Sequence, residues 1–177
     1  MGLGEAWWFF DRVPERGVEH MLELLDGQGL HLRHPADELI YVFDEIGSRR
    51  EASLSFVAAE WTAQHVLTMQ LWVDADTDVV VAVESGGTCV TFSIDGLLRQ
   101  EAERVIAGLA LCACVVPETR ALVVDRYLPE GGDAWRHGIE SRPIAPPSDP
   151  DLLVGPEEDG VSLIRVGRGS WLRRPAP

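Results

Sequence analysis

The sequence predicts an α+β fold in which an antiparallel β-meander of five to seven strands packs against two helices. Several short segments alternate apolar and polar residues, which is the period of a half-buried strand. Short turn sequences separate most of these segments, as they do in β-hairpins. Two longer segments repeat apolar residues every three or four positions, which indicates amphipathic helices. A run of consecutive strands together with two helices favours a fold in which the helices cover one face of an antiparallel sheet.

The first elements are a strand over Glu5–Phe10 and a helix from Pro14 to Asp26. Four consecutive aromatic residues favour the strand. Pro14 suits the first helical turn, and Gly27 suits the stop. Apolar residues of this helix fall on one face and glutamates on the other, so one side is expected to pack on the sheet.

The middle of the chain is predicted to be a run of strands joined by turns. Gly47–Arg50 and Asp74–Thr77 have the composition of such turns. The predicted strands are Leu30–Arg33, Leu39–Glu45, Ser53–Ala58, Val66–Val73, Val79–Glu84 and Cys89–Ile94.

A second helix is predicted from Leu97 to Val115. Its first half is charged on one side, whereas its second half is apolar all round and is expected to be deeply buried. Pro117 ends the helix, and Arg120–Tyr127 is predicted to be a further strand.

The chain is expected to form one domain. Residues 1–128 make its α+β core. Residues 129–160 are rich in proline, glycine and acid and are predicted to be a long surface loop. Residues 161–177 then form a short returning strand and a basic tail of the same domain.

The charge balance is strongly acidic. The 29 Asp and Glu residues outnumber 15 basic residues, and the net charge is −14. This charge repels nucleic-acid phosphates and anionic membranes, so neither is expected as a partner. Residues 161–177 hold four arginines and no acid, which leaves −18 on residues 1–160. Lysine and asparagine are absent, a bias typical of a GC-rich, bacterial genome.

A cytoplasmic location is predicted from the cysteines and from the start of the chain. Cys89, Cys112 and Cys114 make an odd number, which does not suit a secreted disulfide framework. The first ten residues lack the basic start and long apolar run of a secretory signal. The longest apolar run, around Val105–Val116, is too short to cross a bilayer.

The acidic turn does not fit a calcium loop. Asp74, Asp76 and Asp78 match its opening, but Val79 and Ser85 stand where that loop needs glycine and glutamate. An acidic hairpin tip is the preferred interpretation.

No other motif fixes a metal, a cofactor or a reaction. His31 and His34 would face opposite sides of a strand, and Cys112 and Cys114 would lie about 200° apart on a helix. No spacing supports the carboxylates considered as general bases, which are Asp44, Glu60 and Glu84. The sequence therefore predicts no cofactor, no metal and no catalytic residue, and it favours a protein that is not an enzyme.

The aromatic residues are the candidate binding residues. Trp7 and Trp8 would point to opposite faces of a strand, so at most one lies in the main core, and the other lies in a pocket or at an interface. Tryptophan is favoured at binding hot spots, although it also caps minor cores. The candidate set is Trp7, Trp8, Tyr41, Phe43, Trp61, Trp72 and Trp135.

The sheet face away from the helices bears on function because it is less polar than a solvated face should be. Tyr41, Phe43, Val57 and Trp72 are assigned to it. Sheet curvature, the C-terminal segment or a second molecule would each cover such a face.

Three functions remain open. The first is a non-catalytic acidic protein that binds a basic protein partner, in the manner of immunity proteins and inhibitors. The second is a small-molecule-binding or hydrolase-like domain with a pocket between the curved sheet and the helix at 97–115. The third is a homodimer without catalytic function, in which the exposed face pairs with itself.

Overall fold

The computed structural model describes residues 4–125, 152–156, 162–166 and 170–173. Within these ranges the chain forms ten strands and three helices. The helices are α1 (Glu15–Gly27), α2 (Leu54–Thr62) and α3 (Arg99–Val115). The first seven strands are β1 (Glu5–Phe10), β2 (Ile40–Phe43), β3 (Arg49–Ala52), β4 (Leu67–Trp72), β5 (Asp78–Val83), β6 (Cys89–Ser93) and β7 (Thr119–Asp125). The last three are β8 (Leu152–Pro156), β9 (Ser162–Val166) and β10 (Ser170–Arg173).

All ten strands belong to one antiparallel sheet, in the order β10-β9-β8-β7-β1-β6-β5-β4-β2-β3. The first strand of the chain lies in the middle, between β6 and β7. Because β6 and β7 are both antiparallel to β1, α3 must cross over β1 to connect them. The seven strands from β1 to β7 and the helices confirm the predicted α+β fold.

The three helices cover one face of the sheet and enclose the main core. Val18, Met21 and Leu25 come from α1 and Trp61 from α2, and they pack with apolar side chains of α3 and of the strands. Alternate residues of β4, such as Met69 and Leu71, belong to this core, as the period of two predicted.

The predicted strand at Ser53–Ala58 is wrong, because this segment begins helix α2. The Ser53 hydroxyl accepts a hydrogen bond from the Phe56 amide at 3.1 Å and so caps the helix. Val57, Ala58 and Trp61 then face the core at helical spacing. Val57 therefore lies in the main core and not on the far face of the sheet.

Two further local predictions differ from the structure. Arg49–Ala52 forms edge strand β3, although Gly47–Arg50 was expected to be only a turn. The Leu30–Arg33 segment makes isolated bridges, His31 to Trp72 and Arg33 to Ile40, and no continuous strand.

The sequence predicted that the second half of α3 is deeply buried, but one side of it is exposed. Val105, Leu109 and Cys112 face the core, but Leu111 and Val115 are exposed. A helix that lies on one sheet as an outer layer keeps one side in solvent, whatever its sequence.

The opposite face of the sheet carries a second cluster of buried side chains. Trp7, Phe9, Cys89, Ala121 and Val123 form it. Trp8 belongs to the main core, so the two neighbouring tryptophans do face opposite ways.

Three strands extend the sheet beyond β7. Strand β8 pairs with β7 and lies within 129–160, which was predicted to be a surface loop. Strand β9 coincides with the predicted returning strand, and β10 lies in the predicted basic tail. The rest of the predicted loop, up to residue 151, lies outside the described residues. Among the described helices, none is both long enough and apolar enough to span a membrane.

Candidate functional site

A large cavity lies near one edge of the sheet, where β2 and β4 separate. These two strands pair only at Val42 with Met69 and at Phe43 with Thr68. After Phe43 the chain leaves β2 and enters the loop that leads to β3. Strand β4 begins after helix α2. The space between them is a cleft of about 860 Å³.

A second cavity of about 360 Å³ adjoins this cleft along β3. The two cavities share Val42, Arg50 and Phe56, and we call them together the hairpin groove. Its other important lining residues are Phe43, Asp44, Glu45, Ile46, Glu60, His65, Val66 and Ser85.

Large apolar side chains are exposed in the hairpin groove. Ile46 is 86% exposed, Val66 71% and Phe56 41%. They come from three separate parts of the chain: Ile46 from the β2–β3 loop, Val66 from the connection between α2 and β4, and Phe56 from helix α2. Seven large apolar side chains are exposed among the described residues, and three of them meet in this one groove. Such a concentration is typical of a binding surface rather than of scattered surface residues.

The β2–β3 loop holds Ile46 outward through Asp44. The Asp44 carboxylate accepts hydrogen bonds from the amides of Ile46, at 3.2 Å, and Ser48, at 2.8 Å. The Asp44 amide in turn donates to the carbonyl of Ser48 at 3.1 Å. Because the aspartate ties the loop to itself, Ile46 is presented at the rim without support from the core.

The rim of the groove is mainly acidic. Asp44, Glu45 and Glu60 line it, against the single arginine Arg50 and the imidazole of His65. Oε2 of Glu60 lies 3.0 Å from Nδ1 of His65. The groove thus combines apolar walls with an excess of carboxylates.

A glycine turn fixes the far side of the groove against helix α2. The Gly86 amide donates to the carbonyl of Gln64 at 3.2 Å, and the Gly87 amide donates to the carbonyl of Glu84 at 2.9 Å. Gly87 has φ +65°, and a Cβ there would lie 2.9 Å from the carbonyl oxygen of Trp61. Only glycine fits this close approach, which places Ser85 beside the end of α2.

Tyr41 and Trp72 lie together in an aromatic cluster that lines neither cavity of the groove. The His34 ring lies 4.3 Å from the Trp72 ring, and the Tyr41 ring is 6.5 Å from that of Trp72. The Arg49 guanidinium stands 4.2 Å above the Tyr41 ring. The Tyr41 hydroxyl donates to Oδ2 of Asp37 at 2.7 Å. These contacts hold the loop from His34 to Glu38 over β2.

Hydrogen bonding shifts the pKa values of this pair. The hydroxyl of Tyr41 and then the amide of Leu39 lower the pKa of the Asp37 carboxyl. The same hydrogen bond to Asp37 is the largest cause that raises the pKa of Tyr41.

Scans of family models, curated proteins and solved structures find no match to the chain.

The other predicted binding residues lie apart from the groove. Trp8 and Trp61 are buried in the main core with Phe10, and the Trp8 indole N–H donates to the Thr119 hydroxyl at 3.0 Å. Trp7 is buried in the second cluster. Phe43 alone of the described candidates lines the groove, and Trp135 lies outside the described residues.

The binding residues predicted from the sequence did not include Ile46, Phe56 or Val66. One signal for Ile46 was available, because a large apolar residue between Glu45 and Gly47 sits inside a turn and cannot reach the core. Phe56 was assigned to a strand, so the direction predicted for its side chain was wrong. No three His, Cys, Asp or Glu side chains in the described ranges are grouped so as to hold a metal ion.

Proposed function

We propose that the chain is a non-catalytic acidic binding protein that engages a basic protein partner through the hairpin groove. One observation carries the proposal: Ile46, Phe56 and Val66 are exposed together inside a groove whose rim carries Asp44, Glu45 and Glu60. The partner segment that fits has an apolar side chain flanked by arginine or lysine.

Charge and apolar contact have separate parts in this proposal. The net charge of −14 attracts a basic partner over a long range and raises the association rate, an effect that salt screens. Burial of the three apolar side chains then supplies affinity and slows dissociation. This division is the one expected of an immunity protein or inhibitor that blocks a basic protein.

The backbone at the groove supports binding in preference to acyl-transfer chemistry. Glu60, His65 and Ser85 all line the groove, which is a combination of residue types found in hydrolases. Stabilisation of an oxyanion needs available amide donors near the serine. The amides of Gly86 and Gly87 are instead engaged by backbone carbonyls. The described cavities include no residue of the 97–115 helix, so no observation favours a pocket there.

A displayed library of random peptides tests the proposal without knowledge of the partner. The chain is used as bait, and the same library is selected against the Ile46→Ser/Val66→Ser variant. We expect peptides enriched in arginine or lysine next to an aromatic or aliphatic residue. Their affinity should fall at least about tenfold on the variant, which corresponds to about 1.4 kcal/mol. Leu98→Ser, which removes an exposed apolar side chain outside the groove, is the matched control.

The acidic rim is tested separately with the same peptides. Glu45→Gln/Glu60→Gln should weaken peptide binding at low salt and make Kd depend less on salt. Asp95→Asn, which is distant in sequence from both glutamates, should do neither. Peptides without basic residues, or peptides that bind equally to the Ile46→Ser/Val66→Ser variant, would contradict the proposal.

A further inference from the structure

The outward face of helix α3 is a second exposed apolar surface. From Val105 to Val116 the chain has no charged, amide or hydroxyl side chain. Leu111 is 52% exposed and Val115 49%, and Ala107 is also exposed. These three residues are spaced four apart, so they form one stripe along the helix. We call it the α3 stripe.

We infer that the α3 stripe is the contact surface between two copies of this chain, which pack with their α3 helices antiparallel about a two-fold axis at Leu111. In this arrangement Leu111 meets Leu111 of the second copy. Ala107 meets Val115 of the second copy, four residues to either side of the axis. A small residue thus faces a larger one, which allows two helices to pack closely.

The charges at the two ends of the stripe are complementary in this arrangement. Arg104 lies exposed seven residues before Leu111, and α3 ends at Val115, four residues after Leu111. A two-fold axis at Leu111 brings Arg104 towards the C-terminal end of α3 of the second copy, and it does so twice. Helix α3 has no basic residue in its last turn. Arg104 of the second copy therefore lies near the negative end of the helix dipole.

Charge also favours a second copy over the basic partner proposed for the hairpin groove. The groove has a carboxylate rim, whereas no acid lies between Glu103 and Glu118 on the α3 side. Two chains of net charge −14 repel each other over most of their surfaces. The α3 stripe lets them meet without placing carboxylates in the contact. The inference does not depend on the proposed function, since the two surfaces use different elements.

The mass of the full chain in solution tests the inference. Sedimentation velocity should show a mass that rises with concentration from 19.5 kDa towards twice that value. Leu111→Glu should hold the chain at the monomer mass. Leu98→Glu is the control, because Leu98 is 70% exposed but lies outside the stripe. A monomer at every concentration, or a dimer that Leu111→Glu leaves unchanged, would overturn the inference.

Two sharper experiments test the antiparallel geometry. In a Cys114→Ala background, Leu111→Cys should form an intermolecular disulfide under mild oxidation, because two equivalent residues at a two-fold axis come within disulfide range. Val80→Cys, exposed on the sheet, should not. Arg104→Glu should weaken the dimer, because it brings a carboxylate to the negative end of α3 of the second copy. A dimer that neither cross-links through Leu111→Cys nor responds to Arg104→Glu would exclude this arrangement.

Discussion

At the scale of single residues, the contact between Tyr41 and Asp37 shows how polar groups at the aromatic cluster are organised. Asp37 accepts hydrogen bonds from the Tyr41 hydroxyl at 2.7 Å and from the Leu39 amide at 3.0 Å. Both bonds favour the ionised carboxylate, so the pKa of Asp37 lies below its ordinary value. The resulting stability is present above the pKa of the unfolded state, about 3.9, and is lost as the pH falls through the lower folded pKa.

Removal of the Tyr41 hydroxyl should raise the pKa of Asp37 towards its ordinary value. The largest cause of the lowered pKa is lost in Tyr41→Phe, whereas the Leu39 amide remains. Carboxyl carbon chemical shifts followed by NMR against pH measure this directly. Asp74 is the internal control, because the amide of Asp76 is the largest cause of its lowered pKa. An Asp37 titration that does not move in the variant would show that the hydrogen bond is absent in solution.

Gly87 is a residue where the backbone itself limits the side chain. Gly87→Ala combines a φ of +65° with a Cβ 2.9 Å from a main-chain oxygen, which cannot rotate away. We expect a loss of about 1–3 kcal/mol in the free energy of unfolding, measured by urea denaturation. Gly27→Ala is the control, since a Cβ there meets no atom within 4 Å and its φ is not positive. Equal midpoints for the two variants would contradict the close packing of the turn on α2.

At the scale of elements, helix α3 shows two leucines with opposite environments two residues apart. Leu109 is fully buried against the sheet, and Leu111 is half exposed. The surrounding sequence does not distinguish them, because neither has a polar residue within four positions. The difference arises because residues two apart on a helix point about 200° apart around its axis, so Leu109 faces the sheet and Leu111 faces away from it.

Truncation of these two leucines should therefore have unequal costs. Leu109→Ala leaves a cavity in the main core and should reduce the free energy of unfolding by about 2–5 kcal/mol. Leu111→Ala should change it by less than about 0.5 kcal/mol when measured at a protein concentration low enough to keep the chain monomeric. Comparable losses for both variants would mean that α3 is rotated from the position described.

Elements with a regular apolar period were predictable from the sequence, whereas helix α2 was not. The amphipathic pattern located α1, and the alternation in β4 gave the face of each side chain. Helix α2 has only nine residues, and its Leu54-Ser55-Phe56-Val57 start has the composition of a strand. The Ser53 cap and the spacing of Val57 and Trp61 were the contrary signals.

The site was less predictable than the fold because it depends on where separate elements meet. Tyr41 and Trp72 are distant in sequence, and it is the pairing of β2 with β4 that makes them neighbours. Exposure of Ile46 and Val66 follows from the end of that pairing, which no local pattern encodes. The preference of tryptophan for binding sites led instead to the prediction of Trp8 and Trp61, which are buried in the main core.

At the scale of the whole molecule, the hairpin groove and the α3 stripe differ in how carboxylates and apolar side chains are distributed. The hairpin groove places apolar side chains among carboxylates, whereas the α3 stripe is free of them. Net negative charge repels a second copy, so the α3 stripe suits self-association better than the hairpin groove does. The same excess charge also acts on the stability of each copy.

Salt should stabilise the folded chain because repulsion within it is the dominant electrostatic effect. Folding brings a net charge of −14 into a small volume, and arginine–carboxylate pairs such as Arg99–Glu103 and Arg120–Asp11 offset only part of the repulsion. Surface pairs of this kind contribute about 0–1 kcal/mol each, and salt weakens them. Screening of the repulsion should outweigh that loss, so Tm should rise as sodium chloride increases from low to physiological concentration. Calorimetry on the Leu111→Glu variant, which removes any effect of self-association, measures this. A Tm that falls with salt would show instead that specific ion pairs dominate the electrostatic energy of this fold.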